Sequence, residues 1–191
     1  MLHNNPRIRL LLVFGVVGVM MSATLGDTPT KPVSTNIAPP AQERAELPVR
    51  LKIPKINVDA SVEYVGLTSD GAMDVPKSPS NVAWYELGPR PGEVGSAVIA
   101  GHVGWKDNVQ ATFDDLPDLR KGDVIYVEDA SGGTATFVVR EQRMFDLNQN
   151  ASYIFDARDG KAHLNLIACT GVWDEATKTY SKRLVIFADT E

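Results

Sequence analysis

Short apolar runs rich in β-branched residues recur along the C-terminal three quarters of the chain, each bounded by Gly, Pro, Asp or Asn. This pattern is typical of strands separated by tight turns, because β-branched side chains favour extended backbone and the bounding residues favour turns. The strands predicted on this basis cover residues 50–53, 60–65, 94–100, 124–127, 134–139, 164–167 and 184–187.

Helical periodicity is scarce. Residues 109–119 place Phe113, Leu116 and Leu119 at helical spacing, but Pro117 limits any helix there to a short piece. Residues 153–157 are a second candidate for a single helical turn. Many short strands with almost no crossover helices predict an all-β domain, either an antiparallel barrel or a sandwich.

The N-terminal part differs from the rest. Arg7 and Arg9 precede an uncharged stretch at 10–25, close to the lower limit of about 17 residues for a membrane span. Basic residues before such a stretch predict a cytoplasmic N-terminus and an extracellular remainder. We therefore interpret residues 1–26 as a membrane segment at the plasma membrane and expect an uncleaved anchor rather than a cleaved signal peptide.

A proline-rich, aromatic-free stretch follows at 27–48, which predicts a disordered tether because it cannot bury enough apolar surface to offset its chain entropy. Residues 49–191 are then long enough for one domain with one core. The net charge of the whole chain is −5. An acidic balance argues against binding to nucleic acid.

Cys169 is the single cysteine of the chain. A thiol outside the cytoplasm normally pairs with another thiol, and this one has no partner in the sequence. Three interpretations remain: a buried inert residue, an intermolecular crosslink, or a nucleophile. As a nucleophile it would need a basic or cationic neighbour, because an ordinary thiol with a pKa near 8.5 is only a few per cent thiolate at pH 7.

Two further residues are candidates for that neighbour. His102 follows a predicted strand and a glycine, and Arg183 opens the last predicted strand. If the strands on either side of the predicted loop at 170–182 pair in antiparallel fashion, Cys169 and Arg183 come to the same end of the sheet. His3 lies in the leader, and His163 is predicted to be structural, because six strand positions put it roughly 20 Å from Cys169.

The order His, Cys, Arg, each at a strand end, resembles the sortase family. The run Leu-Asn-Leu-Ile-Ala-Cys ending at Cys169 resembles the cysteine strand of sortases, Ala-Gly-His ending at His102 resembles their histidine strand, and Arg-Leu-Val starting at Arg183 resembles their arginine strand. The leader and tether match as well. The compact domain and the Cys-Thr-Gly-x-Trp sequence look most like class F, the actinobacterial group.

The resemblance implies a closed eight-stranded β-barrel with one or two short helices, acting as a monomeric cysteine transpeptidase without a cofactor. It would cleave Leu-Pro-x-Thr-Gly sorting signals between Thr and Gly. Cys169 would form the thioacyl intermediate, His102 would transfer protons, and Arg183 would hold substrate carbonyls and the oxyanion. The acceptor would be an amine such as a peptidoglycan precursor, or water.

Other residues are weaker candidates. Ala168 stands where the family often has threonine, so a substrate contact is predicted to be lost there. Substrate-binding candidates near the cysteine are Ala168, Thr170, Trp173 and Tyr180. The acidic residues Asp114, Asp115 and Asp118 resemble the calcium loops of some class A members, but their spacing fits a solvated face better, and we expect no metal.

Rival functions fit the sequence less well. A papain-like peptidase would place its cysteine before its histidine, an L,D-transpeptidase would show Ser-His-Gly-Cys, and no Gly-x-Ser-x-Gly elbow is present. The alternative from another class is a catalytically inactive, membrane-tethered barrel that binds cell-wall peptides. It predicts that alkylation of Cys169 leaves function unchanged.

Overall fold

The computed structural model describes residues 45–147, 149–177 and 179–191, with the side chain of residue 108 left aside. The expected membrane stretch and most of the expected tether lie outside these residues. Within them, no helix has the length and apolar character needed to cross a bilayer. The strands are β1 (Pro48–Ile53), β2 (Val58–Val65), β3 (Val82–Tyr85), β4 (Gly95–Gly101), β5 (Val124–Asp129), β6 (Thr134–Asp146), β7 (Ala162–Asp174) and β8 (Thr179–Thr190).

These eight strands close into a barrel in the order β1-β2-β3-β4-β7-β8-β6-β5. This confirms the closed eight-stranded barrel. The expectation of an antiparallel sheet is wrong for two of its pairs, because β2 pairs with β3, and β4 with β7, in parallel. Parallel neighbours need a long return connection. Irregular chain, rather than a helix, makes the return from β2 to β3, so the usual helical signal is missing from the sequence.

Several element boundaries also differ from the prediction. Strand β3 was not predicted, and much of the predicted loop at 170–182 is strand, because residues 170–174 continue β7 and residues 179–182 begin β8. Strand β1 begins at Pro48, inside the predicted tether. The two predicted helical pieces are single 3-10 turns at Leu116–Asp118 and Ser152–Ile154, and two further 3-10 turns at Pro54–Ile56 and Lys106–Asn108 were not predicted.

The barrel wall is apolar on both faces. Alternate residues of the central strands, such as Ile99, Leu166 and Ile186, pack into the barrel core. Three of their neighbours in sequence, Val98, Val185 and Phe187, form a second cluster with Phe145 and Ile154. Because successive strand side chains point to opposite faces, this second cluster lies on the outside of the wall. We call it the outer cluster. Ile154 belongs to the β6–β7 connection, and Ala151 and Phe155 of the same connection pack against the cluster.

The return connection from β2 to β3 spans residues 66–81 and is called the crossover below. Val82, the first residue of β3, pairs with Gly101 at the end of β4. The crossover therefore ends beside the carboxyl end of β4. It is tied down there, since the Thr112 backbone N–H and hydroxyl both donate to the Pro79 carbonyl, at 2.8 and 2.9 Å. The parallel pairing of β2 and β3 thus delivers this segment to the strand end that precedes His102.

His163 has the structural surroundings that the sequence predicted. Its ring is 6% exposed, with Nδ1 2.7 Å from Asp189 Oδ1 and Nε2 2.9 Å from Asp159 Oδ1. Carboxylates only accept, so both ring nitrogens donate and the imidazolium is the form that fits. Burial opposes this charge, but the two carboxylates outweigh it and raise the pKa of His163.

We expect this pair of contacts to make stability depend on pH. A raised folded-state pKa stabilises the fold fully below the unfolded value of about 6.5, and that stability is lost as the pH rises through the folded-state pKa. The free energy of unfolding, measured with urea, is expected to be on the order of 1 kcal/mol lower at about pH 8.5 than at about pH 5.5. The His163→Gln variant should show a smaller difference, and an equal difference in both proteins would contradict the assignment.

Candidate active site

The end of β4 and the interiors of β7 and β8 bring the predicted catalytic residues to one place, so the expectation that Cys169 and Arg183 stand at strand ends is wrong. Gly101 pairs with Ala168 across the parallel β4–β7 ladder, so His102 and Cys169 follow directly on neighbouring strands about 5 Å apart. On the other side of β7, Cys169 pairs with Arg183 of β8. The alternation of side chains puts all three on the outer face of the wall, where the row of outer-cluster residues ends.

Cys169 lies between two cavities. Cavity A, of about 570 Å³, contains Cys169, His102 and Arg183 in its lining and is otherwise largely apolar. It extends over the outer cluster, between the crossover and the β6–β7 connection, and its apolar lining includes Leu67, Val75, Phe145, Ile154, Phe155 and Ile167.

Cavity B, of about 670 Å³, lies on the other side of Cys169 and His102, which line it as well. Its lining is aromatic, with Trp105, Trp173 and Tyr180. The Trp173 ring packs edge-on against the Tyr180 ring with centroids 5.2 Å apart. A thiol between two cavities can receive one reactant from each side, an arrangement that suits a transfer between two substrates.

The half-buried imidazole of His102 is held on two sides. Its Nε2 lies 2.7 Å from the Pro76 carbonyl oxygen of the crossover. Because a carbonyl only accepts, Nε2 carries a proton and Nδ1 of the neutral ring is left as the acceptor. The Trp105 ring packs against the imidazole with centroids 4.6 Å apart. Both contacts restrict the ring to one orientation.

The glycine before His102 allows the chain to pass over the core. A Cβ built on Gly101 would collide with the buried ring of Phe113, whose backbone N–H donates to the His102 carbonyl at 3.0 Å. Glycine at this position therefore permits both the packing of Phe113 and the placement of His102.

Gly101→Ala is expected to destabilise the fold by about 1–3 kcal/mol, because the added methyl group overpacks a fully buried position. Urea unfolding measures the loss. Gly66→Ala is the matched control, since its nearest foreign atom would be Glu86 Oε1 at 3.9 Å and its φ is not in the positive region. Equal effects of the two substitutions would contradict the packing argument.

The guanidinium of Arg183 is anchored by its own strand. Its Nη1 donates to the carbonyls of Tyr180 and Lys182, both at 3.0 Å, and Nη2 donates to Thr179 Oγ1 at 3.2 Å. A guanidinium has five N–H groups. Among the described residues these bonds occupy three of them, so Nε–H and one Nη2–H are left for a ligand in cavity A.

The other predicted binding residues divide between the two faces. Trp173 and Tyr180 line cavity B, whereas Thr170 is half-buried and lines neither cavity. Ala168 borders cavity A but is 2% exposed and packs in the barrel core. A side chain there points into the core, so the argument that Ala168 removes a hydroxyl contact with substrate does not fit the structure.

One of the acidic residues that resemble a calcium loop, Asp114, is engaged in backbone hydrogen bonds. Asp114 accepts hydrogen bonds from the backbone N–H groups of Gly104 and Ala111, at 2.6 and 2.8 Å, and so fixes the loop after His102. The described residues contain no group of three or more His, Cys, Asp or Glu side chains arranged to hold a metal ion.

Comparison with known protein families agrees with this geometry. The sortase domain model matches residues 51–191, which includes every strand from β2 onward and all three candidate catalytic residues. The chain belongs to the sortase family. Sortases are cysteine transpeptidases of cell-wall sorting. A search of curated proteins found no match.

Solved structures share the fold. Sortase C-1 from Actinomyces oris is 24% identical, with 75% of this chain and 74% of that chain covered and a TM-score of 0.60. Sortase A from Corynebacterium diphtheriae is 24% identical over 78% of this chain and 63% of that one, with a TM-score of 0.57. Sortase C1 from Streptococcus suis is 22% identical over 76% and 73%, with a TM-score of 0.56.

Sequence reasoning missed the residues that surround the predicted three. Pro76 and Trp105 contact the imidazole, and Phe145, Ile154 and Phe155 line cavity A. The sequence contains a signal for Trp105, which stands three residues after His102 in a glycine-containing loop. Pro76 contributes a backbone carbonyl, and no side-chain pattern could have identified it.

Proposed function

We propose that this sortase cleaves Leu-Pro-x-Thr-Gly signals between Thr and Gly and transfers the acyl group to an amine. The observation that carries the proposal is the position of Cys169 between an apolar and an aromatic cavity, with His102 lining both. The apolar lining of cavity A suits the Leu-Pro part of such a signal. The donors left on Arg183 suit the carbonyl oxygens of the peptide.

The first half of the reaction forms a thioester. Cys169 gives its thiol proton to His102, the resulting thiolate attacks the threonine carbonyl carbon, and the carbonyl electron pair moves onto oxygen, where Arg183 stabilises the charge. When the intermediate collapses, the C–N bond to glycine breaks and its electron pair stays on nitrogen. That nitrogen takes a proton from the imidazolium of His102 and leaves as an amine.

The second half reverses these roles. An amine enters from cavity B, attacks the thioester carbon and gives its proton to His102. The C–S bond then breaks and returns the thiolate of Cys169. Water in place of the amine gives hydrolysis, so the same site has an endopeptidase side reaction. Two separate half-reactions predict ping-pong kinetics.

We further propose that the acceptor is a peptidoglycan precursor and that the enzyme belongs to class F. The class proposal is supported by Cys-Thr-Gly-x-Trp at 169–173 and by the compact domain. The uncharged stretch at 10–25 supports an anchored enzyme with an extracellular catalytic domain. Cell fractionation and sizing of the mature protein test the anchor, and a soluble, shortened product would overturn it.

The decisive experiment uses the full chain with a library of Leu-Pro-x-Thr-Gly peptides and an amine. Mass spectrometry is expected to find the acyl adduct on Cys169 without the amine and the amide product with it. Absence of any adduct on folded protein would overturn the proposal. If peptides bound equally well before and after alkylation of Cys169, the inactive peptide-binding barrel would be favoured instead.

A further inference from the structure

The contacts of His102 raise the question of what supports its charge during proton transfer. Among the described residues, no carboxylate bonds to the His102 ring, and its one hydrogen bond is to the Pro76 carbonyl. The charged groups that line the two cavities with it are Asp74, Asp146, Arg183 and Lys106. Asp146 pairs with Lys182 at 3.5 Å. Beside the packing of the Trp105 ring, the hydrogen-bonded support for an imidazolium therefore comes through the crossover.

The peptide unit between Pro76 and Lys77 has a second partner. Its carbonyl oxygen accepts from His102, and its N–H donates to Glu63 Oε2 at 3.0 Å. Both hydrogen bonds thus belong to one peptide group, with a carboxylate at one end and the imidazole at the other. Hydrogen bonds in such a chain polarise one another, because a carboxylate that accepts from the N–H makes the carbonyl oxygen a better acceptor.

The surroundings keep Glu63 in this role. It lies in β2 and is half-buried. Its neighbour Val62 packs against the barrel core, so Glu63 points to the other face of the strand and contacts the crossover. Its other oxygen, Oε1, accepts from Asn81 Nδ2 at 2.8 Å. Partial burial opposes ionisation, but these hydrogen bonds and the nearby Lys77 hold the pKa of the Glu63 carboxyl below its usual range. The carboxylate is thus ionised at neutral pH. Pro76 is buried, so the carbonyl end of the peptide group is shielded from water, whereas Lys77 at the N–H end is exposed.

We propose that Glu63 is a positioning residue for His102, which acts through the Pro76–Lys77 peptide group. The carboxylate fixes the peptide, and the peptide carbonyl fixes the proton on Nε2 and stabilises the imidazolium. Nδ1 is thereby left to exchange protons with the reacting amines. This arrangement resembles the carboxylate–histidine pair of a catalytic triad with one peptide group inserted between its members. The proposal rests on the proposed role of His102 as the acid and base.

The test compares Glu63→Gln with the parent chain in the peptide transfer assay. We expect kcat to fall about tenfold with KM within about twofold, because the substitution alters proton transfer and not the cavity lining. Nitrogen-15 NMR of the His102 ring, assigned with His102→Gln, should show the neutral proton on Nε2 in the parent. In Glu63→Gln the proton should be distributed over both ring nitrogens.

Two controls separate positioning from support of the fold. Asn81→Ala removes a side-chain partner of Glu63 but keeps the Lys77 link, so its kcat and ring spectrum should lie much closer to the parent than those of Glu63→Gln. Glu86→Gln makes the same charge change at an exposed carboxylate beyond the opposite end of β3, and it should match the parent. If Glu63→Gln were too unstable to assay, Glu63→Asp would test the proposal with both readouts, since it keeps the charge but moves the carboxylate back by one methylene.

The outcomes are distinct. An unchanged kcat and ring spectrum in folded Glu63→Gln would overturn the proposal, as would equal losses in Asn81→Ala and Glu63→Gln. If the parent chain transferred no peptide at all, the proposed function would fail. The ring spectrum would still decide whether Glu63 sets the protonated nitrogen of His102.

Discussion

Cys169→Ala is expected to abolish acyl transfer, with kcat/KM lowered by at least about four orders of magnitude, because no other group can form the covalent intermediate. The side chain is only partly buried and lies at the edge of both cavities, so the fold should be preserved. Steady-state transfer of a Leu-Pro-x-Thr-Gly peptide to an amine measures the loss.

The single cysteine makes this prediction unusually clean to test. Iodoacetamide can label only one thiol in the chain, so loss of activity should follow the labelled fraction of Cys169 one to one. The Cys169→Ala variant should take up no label and unfold at the same urea concentration as the parent. Transfer activity that survived complete labelling would overturn the assignment of the nucleophile.

Arg183→Ala is expected to lower kcat by about 10²–10³-fold, because a donor aimed at a developing oxyanion contributes about 2.7–4 kcal/mol. Its guanidinium is held by the carbonyls of Tyr180 and Lys182, so the remaining N–H groups are fixed in direction before substrate arrives. Arg183→Lys should recover only part of the activity, since an ammonium lacks the planar fork of donors.

The neighbouring Lys182 supplies the matched control. It carries the same charge and pairs at the surface with Asp146, where an exposed ion pair contributes little. Lys182→Met should therefore leave kcat within about twofold of the parent. If both substitutions lowered kcat equally, overall charge near the site would be responsible, and the specific role of Arg183 would be wrong. Thr179→Val, which removes only the hydroxyl that accepts from Nη2, should give an intermediate loss.

The barrel and its three central residues could be predicted from the sequence for a physical reason. Apolar runs mark these strands, since 184–187 is apolar on both faces and 164–168 is interrupted only by Asn165, and a reactive or charged side chain stands beside each run. Cys169 and Arg183 flank such runs, and their pairing follows from antiparallel geometry. The family resemblance of the three motifs added the identity of the reaction.

Other parts could not be predicted because their signals are not local. Strand β3 has only four residues, and its parallel pairing with β2 depends on the return path of the crossover. The extension of β7 contains a bulge between Thr170 and Trp173, where Gly171 has a φ of +86° and breaks the alternation that marks a strand. The contacts of Pro76 and Glu63 involve the backbone, which carries no sequence pattern.

The outward position of the reacting side chains has a consequence for how the protein can change. The three candidate catalytic side chains face away from the barrel core, so under the proposed function selection for stability and selection for substrate act largely on opposite faces of the same strands. The crossover at 66–81 and the described part of the β6–β7 connection, residues 147 and 149–161, border cavity A without contributing a strand to the barrel. Substitutions in these two segments can therefore change substrate specificity while the barrel core and its stability stay the same.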